Sequence, residues 1–390
     1  MKVLHCCLAA FYIDDFGYQE NVLPKIHRMH GHDVKILAST ETYLTSMKLG
    51  YVEASSYISS DNIPVTRLAY QKWLPHKVIS KLRLYKGLKK EIIEFQPDVI
   101  FMHDCQFLSI SAVKDYAKKN KVEIYVDCHT DLINSAKGLV SRNILHGIIY
   151  KYCAKLIEPF VTRFYGTLPL RNEFLHEVYG ITKEKIGLLP FGTDDTLFKT
   201  SEKAFIRKEM RQQLGLEETD LVIVTGGKID LRKNIHVLME AVLKIAYTSD
   251  KVKLLLFGKP TVELKEFVDK MKENPTIIYK DWVDSKEIYK YFLCADLGFF
   301  PGTHSVLWEE ATGLGLPCVF KRWHGIEHVD LGGNCMFLDV VTEQVIIETI
   351  NRLIDNNALF DRMRSVAQLK GPKEFSYTEI AKRALNSDYN

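Results

Sequence analysis

Short apolar runs alternate with amphipathic segments of helical length along the whole chain. In the first half the predicted strands are residues 2–8, 33–38, 99–103 and 123–127, with a helix at about 19–30. In the second half they are residues 221–225, 252–257, 276–279, 297–300 and 317–320, with helices such as 235–248 and 262–272 between them. Strands that alternate with helices form parallel sheets covered by helices on both faces. The pattern therefore predicts an α/β fold.

The length of 390 residues exceeds what one ordinary hydrophobic core organises, so we expect two domains. The predicted N-terminal domain is 1–198, and the predicted C-terminal domain is 199–371. A last helix at about 377–385 follows the second sheet, so residues 372–390 are expected to complete the first domain. Two doubly wound sheets that face each other leave a cleft at the carboxyl ends of their strands, where ligands bind.

Composition narrows the class of protein. With 46% hydrophobic and 26% charged residues, the chain is typical of a soluble enzyme, and no apolar run approaches the roughly 20 residues that cross a bilayer. The eight cysteines form no CxxC pair, which favours buried reduced thiols in a cytoplasmic protein. A net charge of +3 does not argue for nucleic acid. Residues 2–8 are interpreted as a buried strand rather than a secretion signal.

The segment TGGKIDLRKN, at 225–234, joins a predicted strand to a predicted helix. Gly226 and Gly227 allow a close approach of the backbone to a ligand, and the start of a helix offers unpaired N–H groups. Lys228 and Lys233 add positive charge, so the segment suits a diphosphate. It is neither a Walker A loop nor GxGxxG, a motif that the chain lacks. The alternative is a solvated helix start with ordinary surface lysines.

A second segment, FFPGTHSVLWEEATGLGLPCV at 299–319, also begins where a strand ends. Its turn leads into a helix predicted to start near His304 and Ser305, which would offer another anion site. A glutamate further along that helix, Glu309 or Glu310, can accept hydrogen bonds from ribose hydroxyls. The alternative is that both are exposed helix residues, and adjacent residues on a helix do face different directions.

These segments resemble the GT-B glycosyltransferases of family 4. The similarity lies in GGKIDLRKNIHVLMEAV, ADLGFFP and EEATGLGLPCV, in LLPFGTDDTLFK between the domains, and in VDCHTDL of the first domain. It covers most of the chain, strongly in the second half and loosely in the first. The resemblance implies a GT-B fold of two Rossmann-like domains that face each other across a cleft, and retention of anomeric configuration without a metal ion or other cofactor.

The resemblance also assigns roles to individual residues. It places Lys228 and Lys233 on the donor diphosphate, where they do the catalytic work of a divalent cation, and Glu310 on the ribose. It places the turn His304, Ser305 and Val306, with Gly227, against the phosphate and sugar. His129 matches a histidine near the transferred sugar; the alternative is a structural histidine paired with a neighbouring carboxylate. Gly17 matches a glycine loop near the diphosphate, although one glycine stands where the family has two.

One position departs from the family pattern. A glutamate that contacts sugar hydroxyls is expected eight positions before Glu310, and Gly302 stands there. His304 can replace it by hydrogen bonding, or it is a structural residue of the turn. The segment RWHGIEH, at 322–328, stands where the family often has a GGxxE turn.

Residues 67–90 contain eight Lys or Arg, no acidic residue and several interleaved apolar residues, including Trp73. A basic amphipathic stretch suits the surface of an anionic membrane. The alternatives are an ordinary helix with its apolar side in the core and, less well supported, an RNA-binding face.

The sequence therefore predicts a glycosyltransferase that moves a hexose-type sugar from a UDP- or GDP-sugar to a glycan or lipid-linked acceptor. Its predicted location is the cytoplasm, with peripheral contact at the inner face of the membrane through 67–90, and no nucleic-acid partner is expected. Two alternatives stay open. One is a GT-B sugar-nucleotide epimerase, and the other is a non-catalytic GT-B-like binding subunit.

Overall fold

The structure is a computed structural model that describes residues 1–44, 48–132, 138–247 and 249–385. It divides into two compact units, Met1–Pro190 with the residues from Ala381 onward, and Phe191–Ile380. The boundaries between the two units therefore lie at 190/191 and 380/381. The predicted domain boundaries were 198/199 and 371/372. Residues 386–390 of the predicted C-terminal segment lie outside the described residues.

The first unit contains, within its described residues, an eight-stranded sheet in the order β10-β9-β8-β7-β1-β2-β6-β5 and a two-stranded sheet of β3 and β4. All pairs of the large sheet are parallel except β5 with β6. The strands are β1 Lys2–Cys7, β2 Asp33–Ser39, β3 Glu41–Tyr43, β4 Leu49–Tyr51, β5 Ser56–Ile58, β6 Pro64–Leu68, β7 Val99–His103, β8 Glu123–Cys128, β9 Arg163–Gly166 and β10 Ile186–Leu188.

Helices cover this sheet and bury its apolar strands. They are α1 Gln19–Met29, α2 His76–Leu82, α3 Leu88–Phe95, α4 Ser111–Ala117, a π-helix at Val140–Tyr150, α5 Lys151–Ile157 and α6 Pro169–Glu177, with 3₁₀ turns at Leu108–Ile110, Glu158–Phe160 and Lys183–Lys185. Strands β7 and β8 are buried over most of their length, as central parallel strands require.

The second unit contains, among its described residues, a six-stranded parallel sheet in the order β13-β12-β11-β14-β15-β16. Its strands are β11 Leu221–Gly226, β12 Val252–Phe257, β13 Ile277–Lys280, β14 Leu297–Phe300, β15 Cys318–Lys321 and β16 Cys335–Leu338. Its helices are α7 Lys203–Leu214, α8 Ile235–Ala246, α9 Val262–Met271, α10 Ile288–Cys294, α11 Leu307–Gly313, α12 Glu343–Asp355 and α13 Asn357–Phe375, followed by α14 Tyr377–Ala384. The 3₁₀ turns are Asp195–Leu197, Thr200–Glu202, Leu231–Lys233 and Glu327–Val329.

The nine predicted strands are all present, each within about one residue of its predicted bounds. The strands that the sequence analysis did not predict are short or lie near sheet edges, such as β9, β10 and β16. Runs of three or four residues are too short to show a period of two. The predicted helix 235–248 ends at Ala246, and Thr248 lies outside the described residues.

The basic segment 67–90 is not one amphipathic helix. It contains the end of β6, then α2, a turn at Arg83 with φ +51°, and the start of α3. Arg67 is buried, pairs with Asp14 over 2.8 Å, and donates to two main-chain carbonyls. The six lysines of the segment are exposed. Within the described residues, no helix combines the length and the apolar character that crossing a membrane requires.

Candidate active site

The turn after β11 holds Gly227 in a conformation that glycine adopts easily. Its φ is +98°, and its N–H donates to the carbonyl oxygen of Phe257 over 3.0 Å. A Cβ at this position would lie 3.4 Å from Leu307 at the start of α11. The neighbouring Lys228 is exposed, and its ammonium group makes no hydrogen bond with the described residues. Lys228 is therefore available to an anion from solution.

Lys233 ends a 3₁₀ turn that its neighbours fix. The Asp230 carboxylate accepts from the N–H groups of Arg232 and Lys233 over 3.1 and 3.2 Å. Asn234 follows with φ +52°, and α8 then begins at Ile235. Asparagine tolerates this left-handed conformation better than most residues, so the sequence RKN suits the turn.

Lys233 connects this turn to the turn after β14. Its ammonium group donates to the carbonyl oxygens of Thr303 and His304 over 2.6 and 3.0 Å. The Asn234 side chain donates to Pro301 over 3.1 Å, and Thr303 N–H donates to Arg232 over 3.1 Å. Burial lowers the pKa of Lys233 to about 8. The two predicted motifs thus meet, because β11 and β14 are neighbours in the sheet.

Gly302 lies where these two turns touch. A Cβ there would lie 2.3 Å from the Cα of Lys233 and 2.4 Å from the carbonyl oxygen of Arg232. The Trp323 indole N–H also donates to the Gly302 carbonyl over 3.0 Å. No side chain fits at this position without a backbone shift. The missing glutamate of the family pattern is thus a consequence of close backbone packing.

Glu309 is fully buried, so its interpretation as an exposed helix residue is wrong. It lies 2.8 Å from His304 Nε2 and 2.8 Å from His328 Nε2. Burial raises the pKa of Glu309, but these two histidines outweigh it and lower the value to about 2. Glu309 is thus a carboxylate that positions His304. From the sequence, Glu309 was a candidate for binding ribose and His328 had no predicted role, although RWHGIEH was a visible signal.

Glu310 is partly buried, and it behaves differently from Glu309. Burial, together with Asp194, raises its pKa to about 8. The helix that carries it begins at Leu307 rather than near His304 and Ser305, and Val306 is its exposed N-cap residue. Adjacent glutamates on α11 therefore have opposite pKa shifts, and Glu310, which is predicted to hold ribose, lies near the like charge of Asp194.

His129 follows β8 in the first unit, and its side chain is 19% exposed. Its Nε2 lies 3.1 Å from Asp127 Oδ1. Burial lowers the pKa of His129, but Asp127 and Glu20 outweigh this effect and raise the value to about 9. His129 is thus an imidazolium at neutral pH. Gly17 lies in the exposed segment directly before α1, the helix that carries Glu20.

Asp127 also ends a buried chain of three histidines. His27 Nε2 lies 3.0 Å from the carbonyl oxygen of Ala381, and His27 Nδ1 lies 3.0 Å from His5 Nε2. His5 Nδ1 lies 3.1 Å from His103 Nε2, and His103 Nδ1 lies 2.8 Å from Asp127.

The partners along this row of histidines indicate which ring nitrogens donate hydrogen bonds. The carbonyl oxygen of Ala381 only accepts, so His27 donates through Nε2 and accepts at Nδ1. The same rule makes His5 donate to His27, and His103 donate to His5. Burial lowers the pKa of His5, and it lowers that of His27 to about 3, so both are neutral. The other nitrogen of His103 lies beside the Asp127 carboxylate, which can accept a hydrogen bond from it.

Glu20, His103 and His129 place three possible metal-ligand atoms within 4.8 Å of one another. Both nitrogens of His103 also lie within hydrogen-bond distance of other groups, namely His5 and Asp127. We therefore interpret this group as a charged hydrogen-bonded cluster that positions His129.

The proton on His129 is expected to leave near pH 9, because Asp127 stabilises it. We predict that Asp127→Asn lowers the midpoint by at least about one pH unit. Since the folded-state pKa exceeds the unfolded value of about 6.5, this proton stabilises the fold fully below about pH 6.5. That contribution is lost as the pH rises through 9. NMR titration of protein labelled with ¹³C in the histidine rings measures the midpoint.

The His129 resonance is assigned by its loss in His129→Gln, which leaves the pair between Asp127 and His103 in place. A midpoint near 6.5 in the unsubstituted protein would contradict the assigned role of Asp127.

The chain is similar in sequence to known proteins. Residues 206–370 match the family described as glycosyl transferases group 1. The chain is 23% identical over 252 residues to mannosylfructose-phosphate synthase of Agrobacterium fabrum, covering 61% of this chain and 53% of that protein. It is 21% identical over 246 residues to alpha-monoglucosyldiacylglycerol synthase of Streptococcus pneumoniae, covering 60% and 55%. The chain thus spans about half the length of these curated relatives.

Among solved structures, Anabaena Alr3699/HepE in complex with UDP superposes with a TM-score of 0.64 at 15% identity, covering 98% of both chains. Two Rossmann-like α/β domains of this kind define the GT-B fold, so the predicted fold is confirmed. The chain thus has a GT-B fold, and residues 206–370 of its second unit match the glycosyl transferases group 1 family.

Proposed function

We propose that the protein is a retaining glycosyltransferase that moves a hexose-type sugar from a UDP- or GDP-sugar to a glycan or lipid-linked acceptor. Surface polysaccharide biosynthesis is the process that we assign to it. The proposal rests on the joined turns after β11 and β14, where Lys228 presents a cation and Lys233 connects the two loops. A group 1 family match and the names of two synthases support it.

The donor diphosphate is proposed to bind between these turns. Charge that develops on the leaving diphosphate needs groups that are already positioned to stabilise it. Lys228 is exposed, and Lys233 is held in place before the donor arrives. The two ammonium groups, with Gly227 and the residues at the start of α11, would supply this stabilisation without a metal ion or other cofactor. A neighbour of the same fold was solved with UDP, which supports a nucleotide donor.

In the second unit, the sugar is proposed to contact His304. The carboxylate of Glu309 fixes the ring of His304, which then takes over the sugar contact that Gly302 cannot make. For His129 of the first unit, we propose a catalytic role through the positive charge of its imidazolium. We propose front-face displacement, in which the departing phosphate takes the proton of the acceptor hydroxyl and the configuration is retained. For a lipid-linked acceptor, contact of residues 67–90 with an anionic membrane is part of this proposal.

Glu310→Ala is expected to weaken UDP or GDP binding by at least about tenfold, because hydrogen bonds between the ribose hydroxyls and the Glu310 carboxyl group are lost. Inorganic pyrophosphate lacks ribose, so its affinity should not change. Isothermal titration calorimetry with both ligands measures the difference. Glu348→Ala, an exposed glutamate on α12, is the matched control and should bind both ligands like the unsubstituted protein.

Equal loss of pyrophosphate and nucleotide binding would refute the ribose role of Glu310. Assaying nucleotide release from the sugar donor with and without a glycan acceptor separates a transferase from an epimerase. If the acceptor does not accelerate release or receive sugar, the proposed transferase activity is wrong.

A further inference from the structure

The π-helix Val140–Tyr150 and the start of α5 carry an exposed apolar stripe. Val140, Ile144, Ile148 and Tyr152 are 65%, 48%, 64% and 57% exposed. Residues four apart stay on one face, because a turn takes about 3.6 residues in an α-helix and slightly more in a π-helix. Single exposed apolar residues are ordinary on a protein surface, whereas four that are aligned along one helix face mark an interaction surface. We call these four residues the apolar stripe.

The opposite side of the same helix is packed, so the stripe is not a sign of a loosely folded segment. His146 Nδ1 lies 2.9 Å from the Tyr179 hydroxyl, and both side chains are buried. Leu145 and Ile149 pack against the core of the first unit. The helix is therefore fixed on its inner face, and the stripe is held outward.

The surface beside the stripe is basic. No Asp or Glu occurs from residue 138 to 157, where Arg142, Lys151 and Lys155 supply positive charge. The acid-free segment 67–90 lies against this helix, since Tyr150 donates from its hydroxyl to the carbonyl oxygen of Lys81 over 2.7 Å. The segment 67–90 contributes six exposed lysines to the surface beside the stripe: Lys72, Lys77, Lys81, Lys86, Lys89 and Lys90.

Two further features of the 67–90 segment suit an amphiphilic partner. Trp73 is 67% exposed, and tryptophan is a preferred residue at the boundary between headgroups and acyl chains. Lys89 and Lys90 line a cavity of about 730 Å³ together with the apolar residues Leu84, Leu88 and Ile93 and the polar residues Gln71, Glu94, Ser109 and Ser111. The cavity thus combines apolar surface with an excess of positive charge.

We propose that the apolar stripe and the adjoining lysines form one surface that docks on an anionic lipid bilayer. The stripe enters the boundary between headgroups and acyl chains, while the lysines stay at the level of the anionic headgroups, where each is worth roughly 1 kcal/mol. A second copy of the chain suits this surface poorly, because two faces that each carry an excess of lysines would repel each other. The proposal extends the membrane contact in the proposed function, but docking itself requires neither a donor nor transfer.

Flotation with phosphatidylglycerol/phosphatidylcholine vesicles and with pure phosphatidylcholine vesicles tests the surface. The unsubstituted protein should bind the anionic vesicles at least tenfold more tightly, and binding should weaken as salt increases. Ile144→Ser with Ile148→Ser should lower binding to anionic vesicles at least tenfold and retain the salt dependence. Lys77→Gln with Lys81→Gln should lower binding and reduce the salt dependence.

Tyr247→Ser with Val262→Ser is the matched control, since these apolar residues of the second unit are 89% and 95% exposed. It should bind vesicles like the unsubstituted protein. Calorimetry with UDP confirms that each variant is folded, and it also separates this proposal from the transferase proposal. Equal binding by the stripe variant and the control would overturn the docking surface. So would a concentration-dependent dimer that the stripe substitutions abolish, because the occupant would then be a second copy.

Discussion

Replacing Lys228 and Lys233 together by alanine is expected to reduce sugar transfer by roughly 10³-fold or more. Each ammonium group that faces a diphosphate makes charge-assisted hydrogen bonds, which contribute about 1.5–3 kcal/mol apiece. The charge that they meet increases as the leaving group departs, so the loss should appear in kcat as well as in KM. Steady-state kinetics with the donor, together with calorimetry for UDP and GDP, measure both effects.

The single variants should differ, because the two lysines have different surroundings. Lys228 is exposed, and its ammonium group makes no hydrogen bond with the described residues. Lys228→Ala should therefore weaken diphosphate binding without lowering the midpoint of thermal unfolding. Lys233 connects two loops through Thr303 and His304, so Lys233→Ala should lower both diphosphate affinity and stability. Arg232→Ala is the control for removing a cation from the same turn, since its exposed guanidinium pairs with Asp230. Unchanged nucleotide affinity in the double variant would contradict the proposed diphosphate site.

Replacing Gly302 by the glutamate of the family pattern is expected to lower the stability of the protein and its affinity for the donor. Even Gly302→Ala would bring a Cβ to 2.3 Å from the Cα of Lys233, and backbone atoms cannot move aside as a flexible side chain can. Overpacking of this kind typically costs about 1–3 kcal/mol. We expect Gly302→Ala to be destabilised by about that amount, and Gly302→Glu by more. Chemical denaturation of both variants provides the measurement.

Both Gly302 variants should also bind the nucleotide donor at least about tenfold more weakly, because the displaced backbone belongs to the turn of Lys233. Gly138→Ala is the matched control, since an added Cβ there meets no atom within 4 Å. If Gly302→Ala is as stable as Gly138→Ala, the inference that Gly302 packs too closely against Lys233 to accept a side chain is wrong. If Gly302→Glu folds and binds a sugar nucleotide more tightly than the unsubstituted protein, His304 has not replaced the missing glutamate.

Much of the second unit could be predicted because its signals are local. The run LVIVTG is long and apolar enough to identify β11, and two glycines mark the turn that follows it. Strands such as β9 and β10 were missed, since three or four residues carry little pattern and sheet pairing decides whether they form. The segment 67–90 shows the same limit: its composition is basic throughout, but only the fold turns Arg67 inward to Asp14.

The α/β architecture, the order of the longer strands and the two segments that carry Lys228, Lys233 and Glu310 could be predicted without a structure, because these features depend on periodicity and on residues close in the chain. The pairing of distant groups follows from the folded chain alone. Folding places His328 on Glu309, links His27 to Asp127 through two other histidines, and packs Gly302 against Lys233. Charge and donor-acceptor balance depend on which side chains burial brings within about 3 Å, and no spacing along the chain specifies that.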